Sequence, residues 1–434
     1  MSLVTVGILG ILALLAILFL LRMPVGFAMG IVGFIGFAHV INTKAAMGML
    51  GTELWQVFSS YGLTVIPLFI FMGQICFQCG VNKRLYKAAY TWTGQVQGGL
   101  AMSTILACAG FSAISGSNTA TAATMSTVAL PEMKKYNYND TLSTGAVSVG
   151  ATLGVVIPPS VVLIIIGLQT GQSIAKLFWA SIIPGMLLML LFLLTVHVIC
   201  RRHPDWAPAG PRTTWGEKIR SLPGSIEMLV LFGLVMGGLF AGLFTPSEAG
   251  AAGSAIALFI SLVSRQLTWK RFVLAISDTL RTACMIFMIV AGAVLFGRFL
   301  AVTRLPFEMA GWVASLDIPN FVVILVICLI YIIGGAIMDA LALLLITIPI
   351  FFPVAQAMGY DPMWFAVLVT IVTTMGAVTP PVGVTAFIVS SMAPGTPIQR
   401  IFKGISYFMV AYLICIGLLM LFPQLVLFLP AHIH

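Results

Sequence analysis

The chain has 434 residues, of which 60% are hydrophobic and 8% charged, with a mean hydropathy of +1.11. Soluble domains carry about 25% charged residues, so this composition excludes an ordinary soluble enzyme or binding domain and points to repeated passage through a bilayer. The formal charge of +9 comes from basic residues that fringe apolar segments instead of forming one patch, which argues against a nucleic-acid surface.

Leu3–Leu21 is the first apolar run. It lacks a basic start and a small-residue cleavage site, and Arg22-Met23-Pro24 leads straight into a second run, Val25–Ile41, so it reads as a retained span. An amphipathic segment, Ala45–Ser59, carries Trp55 as an interfacial residue and precedes a third span, Leu63–Cys79. Cys76 and Cys79 have CxxC spacing, but no further Cys or His stands close, and all seven cysteines read as inert buried thiols. Over about 98–131 two short apolar segments meet at a small polar tip, Ser115-Gly116-Ser117-Asn118-Thr119. Such segments suit a re-entrant hairpin, which enters and leaves the membrane on one side. A span over about 141–170 is interrupted by Pro158-Pro159, and Leu177–Cys200 closes the series.

The second half repeats this order at an offset of 222 residues. Pro24 falls on Pro246, Pro131 on Pro353, Gly154 on Gly376 and Pro158-Pro159 on Pro380-Pro381. Spans at Ile226–Phe244 and Ala249–Val263 precede an amphipathic segment, Leu267–Arg281, with Trp269. A span at Thr282–Leu300 follows, then a hairpin over about 320–353 with a tip at Gly334–Asp339. An interrupted helix over about 362–392 and a closing span, Tyr407–Leu429, complete the copy. The expected architecture is an all-α polytopic membrane protein of two repeats, 1–205 and 224–434, joined by a linker at 206–223. Five crossings per copy is an odd number, so the second copy starts on the opposite face and the repeats are inverted.

Charge gives this threading a direction. One face receives 17 of the 21 basic residues, including Lys83, Arg84, Lys134, Lys135, Arg201, Arg202, Arg212, Lys218 and Arg220; the other receives Lys44, Lys176, Arg298 and Arg304. The first face is therefore expected to be cytoplasmic and both termini periplasmic.

The chemistry is expected at the interrupted helices. Proline removes a backbone donor, so carbonyls just before Pro158-Pro159 and Pro380-Pro381 lose their helical partners. In hydrocarbon such carbonyls need a partner, and a dehydrated Na+ suits them. The tip Ser115–Thr119 adds hydroxyl and amide oxygens for a cation, and a helix N-terminus for a carboxylate substrate. Asp339 is the only acid expected near the bilayer centre, where ionised groups usually serve function. Glu248, in Thr245-Pro246-Ser247-Glu248, reads as a helix cap. There is no P-loop and no hydrolytic constellation, so the chain is read as no enzyme, driven by a gradient and not by ATP. A channel would need a continuous polar path, whereas these polar residues cluster at one locus.

Ile66-Pro-Leu-Phe-Ile-Phe-Met-Gly73, Gly110–Thr119, Ile157-Pro-Pro-Ser160, Phe244–Ala249 and Thr379-Pro-Pro-Val-Gly383 together resemble the large membrane (M) subunit of tripartite ATP-independent periplasmic (TRAP) transporters, in the ion transporter superfamily. The resemblance implies Na+-coupled uptake of small organic acids, of the C4-dicarboxylate or sialic acid class, by an elevator motion in the bacterial inner membrane. It implies two or more Na+ ions and no organic cofactor or transition metal. A first Na+ site would fall on Ser115, Gly154, Ile157 and Pro159, and the internal offset carries a second to Ile337, Gly376, Thr379 and Pro381. Substrate would meet Ser117, Asn118, Thr119 and Asp339. A small membrane (Q) subunit, as a separate chain, and a periplasmic binding (P) protein are the implied partners. A free-standing Na+/dicarboxylate carrier of the same superfamily is the alternative.

Overall fold

A computed structural model of the chain describes residues 2–210, 213–315 and 318–432; Arg212, assigned above to the cytoplasmic face, lies outside them. Among the described residues all regular structure is helical, and ten helices are long and apolar enough to cross a membrane. The chain is a multi-pass membrane protein.

The helices recur at the offset read from the sequence. Leu3–Leu20, Val25–Val40, Thr43–Phe58 and Val65–Gln78 open the first series, and Val81–Thr93 leads to a hairpin, Gly99–Ser115 and Asn118–Lys135. A helix broken at its prolines, Asp140–Val156 and Val161–Thr170, precedes the closing helix Ile174–Arg202. The second series runs Pro223–Phe240, Pro246–Val263, Trp269–Val302 and Leu305–Ser315, then the hairpin Asn320–Ile337 and Ala340–Ala357. Its broken helix is Pro362–Gly376 with Val384–Met392, and Ile398–Leu421 closes it. Glu248 completes a capping box: the Thr245 amide donates to its Oε2 at 2.8 Å, and its own amide donates to Thr245 Oγ1 at 3.3 Å.

One expectation is overturned. The segment Leu267–Arg281 is not a separate interfacial helix, because Trp269–Val302 is one helix of 34 residues. In the first copy the corresponding chain breaks at Ser59-Ser60 and continues as a short 3-10 turn, Tyr61–Thr64. The offset places Arg281-Thr282-Ala283-Cys284 there in the second copy. Without a glycine or a Ser-Ser pair to favour a turn, nothing interrupts the hydrogen-bond ladder. The hairpin helices are also longer than the sequence segments proposed for them, since helix 118–135 carries Pro131 inside it and helix 340–357 carries Pro349 and Pro353.

Burial separates the core from its wrapping. In the most apolar 18-residue stretch of the first broken helix 94% of residues are buried, against 11% for Leu3–Leu20. Helices cross closely where side chains are absent. A Cβ on Gly292 would stand 2.0 Å from the Gly26 carbonyl oxygen, and one on Gly404 would stand 2.0 Å from that of Thr141. At the core Thr152 and its repeat equivalent Thr374 flank one phenol: the Tyr412 hydroxyl bonds Thr152 Oγ1 and also meets Thr374. Arg84 ties the two series together through Glu227 and Gln266, while Arg298 donates to Glu53 at 2.7 Å.

Added methyl groups test the close crossings. Gly292→Ala and Gly404→Ala should each destabilise by about 1–3 kcal/mol, the usual cost of overpacking. Gly297→Ala and Gly417→Ala, where a Cβ meets nothing within 4 Å, should stay within about 0.5 kcal/mol of the parent. Thermal unfolding in detergent reads the difference, and equal melting of all four variants would contradict the packing.

Candidate functional site

The first hairpin turns at Gly116, which is left-handed with φ 59°. A Cβ there would stand 2.8 Å from the Pro159 carbonyl oxygen, so glycine is what lets the tip rest on the proline break. The approach is reciprocal, because a Cβ on Gly154 would stand 2.6 Å from the Ser117 carbonyl oxygen. The Val161 amide donates to Gly116 O at 3.4 Å. Beside this seam Ser115 Oγ lies 2.9 Å from Thr121 Oγ1, which donates to Ser117 O at 2.7 Å.

Proline chemistry decides which oxygens stay free. The Ile157 amide donates to Leu153 O at 2.8 Å, the last helical bond before the break. The next carbonyls, Gly154 and Val155, would be matched by residues 158 and 159, both prolines without N–H. No donor among the described residues reaches either one. Ser115, Gly154 and Pro159 thus lie along this seam, beside carbonyls that no donor reaches, and Ile157, half-buried, stands just before the prolines.

The second junction is built differently. A Cβ on Gly376 would stand 2.8 Å from Gly335 Cα, and Ala336 O accepts from the amides of Val382 and Gly383 at 3.2 and 2.9 Å. Gly376 O takes the Thr379 amide at 2.8 Å and Ala377 O takes the Thr385 amide at 3.1 Å. Thr379 Oγ1 donates to Met375 O at 2.7 Å. Ile337, Gly376, Thr379 and Pro381 lie together here, but the carbonyls of this break are largely occupied from within the chain. The tip has also lost its hydroxyls, since Ser115 and Thr121 correspond to Ile337 and Leu343. Pro380 and Pro381 are exposed, whereas Pro158 and Pro159 are buried.

The two tips converge on one cavity of about 480 Å³. Ser115, Ser117, Asn118 and Thr119 line it from the first hairpin, and Asp339, Ala340 and Leu341 from the second. Its opposite wall comes from Gln74 on helix 65–78 and from Asp278 and Thr282 on helix 269–302. Both inner hairpin helices therefore begin at the cavity and direct their positive ends toward it. Ser117 Oγ caps the first, 3.4 Å from the Ala120 amide; Asp339 caps the second, its Oδ2 3.1 Å from the Leu341 amide. Asn118 is 4% exposed, accepts from the Thr119 amide with Oδ1 at 2.8 Å and donates with Nδ2 toward Thr385 Oγ1 at 3.5 Å.

All four residues expected to meet substrate line the cavity, but Asp339 is not the only acid inside the bundle. Asp278 shares the cavity, and the sequence reading missed it by assigning residue 278 to an interfacial segment. Gln74 was missed too, although it directly follows the run Ile66–Gly73. The absence of any turn signal near 281–284 was the clue that residue 278 continues into a long helix. Cys76 and Cys79 are both buried and free, but Cys284, expected to be buried like the other cysteines, is exposed on helix 269–302.

Comparison with known proteins identifies the family. Residues 12–425 match the family described as "Tripartite ATP-independent periplasmic transporter, DctM component". The C4-dicarboxylate TRAP transporter large permease protein DctM of Pseudomonas aeruginosa is 31% identical over 88% of this chain and 89% of its own length. The sialic acid TRAP transporter large permease protein SiaM of Vibrio cholerae is also 31% identical, covering 94% and 95%. Among solved structures, the YdaH transporter of Alcanivorax borkumensis superposes with a TM-score of 0.63 over 87% of this chain and 89% of its own, at 14% identity, a likeness of fold. Relatives of this kind are permeases and not enzymes, and the chain belongs to the large-permease, DctM-component family of TRAP transporters.

Proposed function

We propose that this chain is the translocating subunit of a Na+-coupled importer of small organic acids in the bacterial inner membrane. One observation carries the reading: a cavity bounded on one side by both hairpin tips and by Val155 and Val161, which flank the first proline break, and on the other by helices 65–78 and 269–302. In the proposed cycle the hairpins and broken helices form a transport block that slides as an elevator against the remaining helices. The repeats lie inverted in the membrane, the hairpins are re-entrant, and both termini face the periplasm. That threading is supported by the bias of basic residues to one face, and by helix ranges that recur at one offset.

Substrate belongs to the C4-dicarboxylate or sialic acid class that the names of the relatives suggest. It arrives from a periplasmic binding protein, and a separate small membrane subunit completes the carrier. Na+ sits at the first junction, held by Ser115 and the oxygens around Gly154, Ile157 and Pro159, and stabilises a tip that then presents its helix N-terminus to the substrate carboxylate. A second Na+ at Ile337, Gly376, Thr379 and Pro381 requires the second break to release carbonyls now bonded to Thr379 and Thr385 amides. Binding there therefore accompanies a rearrangement of that junction.

Two measurements test the reading. In proteoliposomes holding the chain and its small subunit, Ser115→Ala should raise the Na+ concentration for half-maximal uptake about tenfold, as expected on losing one oxygen ligand. An unchanged Na+ response would remove Ser115 from the site. Uptake should also vanish without the binding protein. Full uptake of free substrate in its absence would favour the free-standing carrier.

A further inference from the structure

The charges around the cavity bear on what kind of acid it accepts. Its wall holds no Lys, Arg or His among the described residues. The attraction for a carboxylate comes from helix ends, and the two ends are not equivalent. The offset of 222 maps Ser117 onto Asp339, so the same N-cap position is a neutral hydroxyl in one hairpin and a carboxylate in the other. Helix 118–135 has no acid in its first turn, which leaves its positive end, roughly half a unit charge, uncompensated. Helix 340–357 begins with Asp339 bonded to the Leu341 amide, and this carboxylate offsets the positive end. Asp278 faces the same cavity from the opposite wall. One helix end therefore attracts an anion, while elsewhere the wall offers two carboxylates, Asp278 and Asp339, that require donors.

Resting on the proposed use of this cavity, we infer that the substrate is a monocarboxylate bearing hydrogen-bond donors. Its carboxylate meets the Ser117–Thr119 tip, and hydroxyl or ammonium groups meet Asp278 and Asp339. A second carboxylate in this cavity would meet two acidic residues and no basic residue to offset them. Of the two classes carried by the relatives, the cavity fits an acid like sialic acid, with one carboxylate and many hydroxyls, better than a C4-dicarboxylate.

The test uses the chain with its small subunit in lipid nanodiscs with Na+, and reads ligand-induced thermal stabilisation. Gluconate and N-acetylneuraminate serve as donor-bearing monocarboxylates and succinate as the dicarboxylate. At least one monocarboxylate should stabilise the parent protein, with succinate at least about tenfold weaker, the effect of one unfavourable charge contact. Asp278→Asn should narrow that gap by strengthening succinate. Succinate stabilising the parent as well as the monocarboxylates would overturn the inference. Asn118→Ala separates the two readings. If it abolishes stabilisation by succinate, the cavity remains the substrate site and only the charge inference falls. If the probes act unchanged on Asn118→Ala, or none acts on any protein, the cavity is not the site and both fall.

Discussion

A backbone carbonyl inside a bilayer must find a partner, because no water is there to supply one. The two proline pairs break this rule in repeat-related places, and the inner part of the molecule is arranged around the consequence. At the first break Gly154 and Val155 keep unmatched carbonyls, and the chain brings a hairpin tip of small polar residues against them. That contact requires glycine on both sides, Gly116 in the tip and Gly154 in the helix, since either Cβ would collide with a carbonyl oxygen. Close approach and oxygen surplus thus have one origin: the side chains removed to let the backbones meet leave backbone oxygens as the principal donors.

The same duplication has been resolved in two ways. At the second break, bonds from the Thr379 and Thr385 amides absorb the exposed carbonyls, and the tip has traded Ser115 and Thr121 for Ile337 and Leu343. Divergence also reaches the outer helices. Ser59-Ser60-Tyr61-Gly62 divides the chain into two helices in the first copy, whereas Arg281-Thr282-Ala283-Cys284 lets it run through as one. Symmetry persists where the copies share a partner. Thr152 and Thr374 both meet the Tyr412 hydroxyl, so one phenol of the closing helix 398–421 serves both broken helices.

Much of this was legible in the sequence because helix breakers act locally. The prolines at 158–159 and 380–381, the glycine-rich tip and the capping box at Thr245 carry their structural meaning in a few consecutive residues, and the helices stop and start there. What was not legible depends on which helix faces which. Nothing in the neighbourhood of Asp278 distinguishes a charge at the membrane surface from one in a cavity, since flanking Lys270, Arg271 and Arg281 suit an interfacial segment. Only the continuity of helix 269–302 and its packing against helix 65–78 bring that carboxylate opposite the hairpin tips. The occupation of the second break by its own amides was equally hidden, because it depends on where the chain goes after Pro381.

These strands meet in the cavity. A duplicated hairpin delivers two helix N-termini to one point, and two equal positive ends would suit a ligand with two equal anionic groups. The chain does not keep them equal. Asp339 in place of the Ser117 hydroxyl offsets one end, and Asp278 adds a second acidic group to the wall of the same cavity. The surviving asymmetry is electrostatic as well as geometric: the tip that retains its hydroxyls and its unmatched carbonyls is also the tip whose helix end stays positive. A cation held among those oxygens would add to that positive end, so ion and carboxylate would reinforce each other at the first tip. At the second tip the carbonyls are already satisfied and the helix end is already compensated, so in the proposed binding mode it would meet donors on the remainder of the ligand.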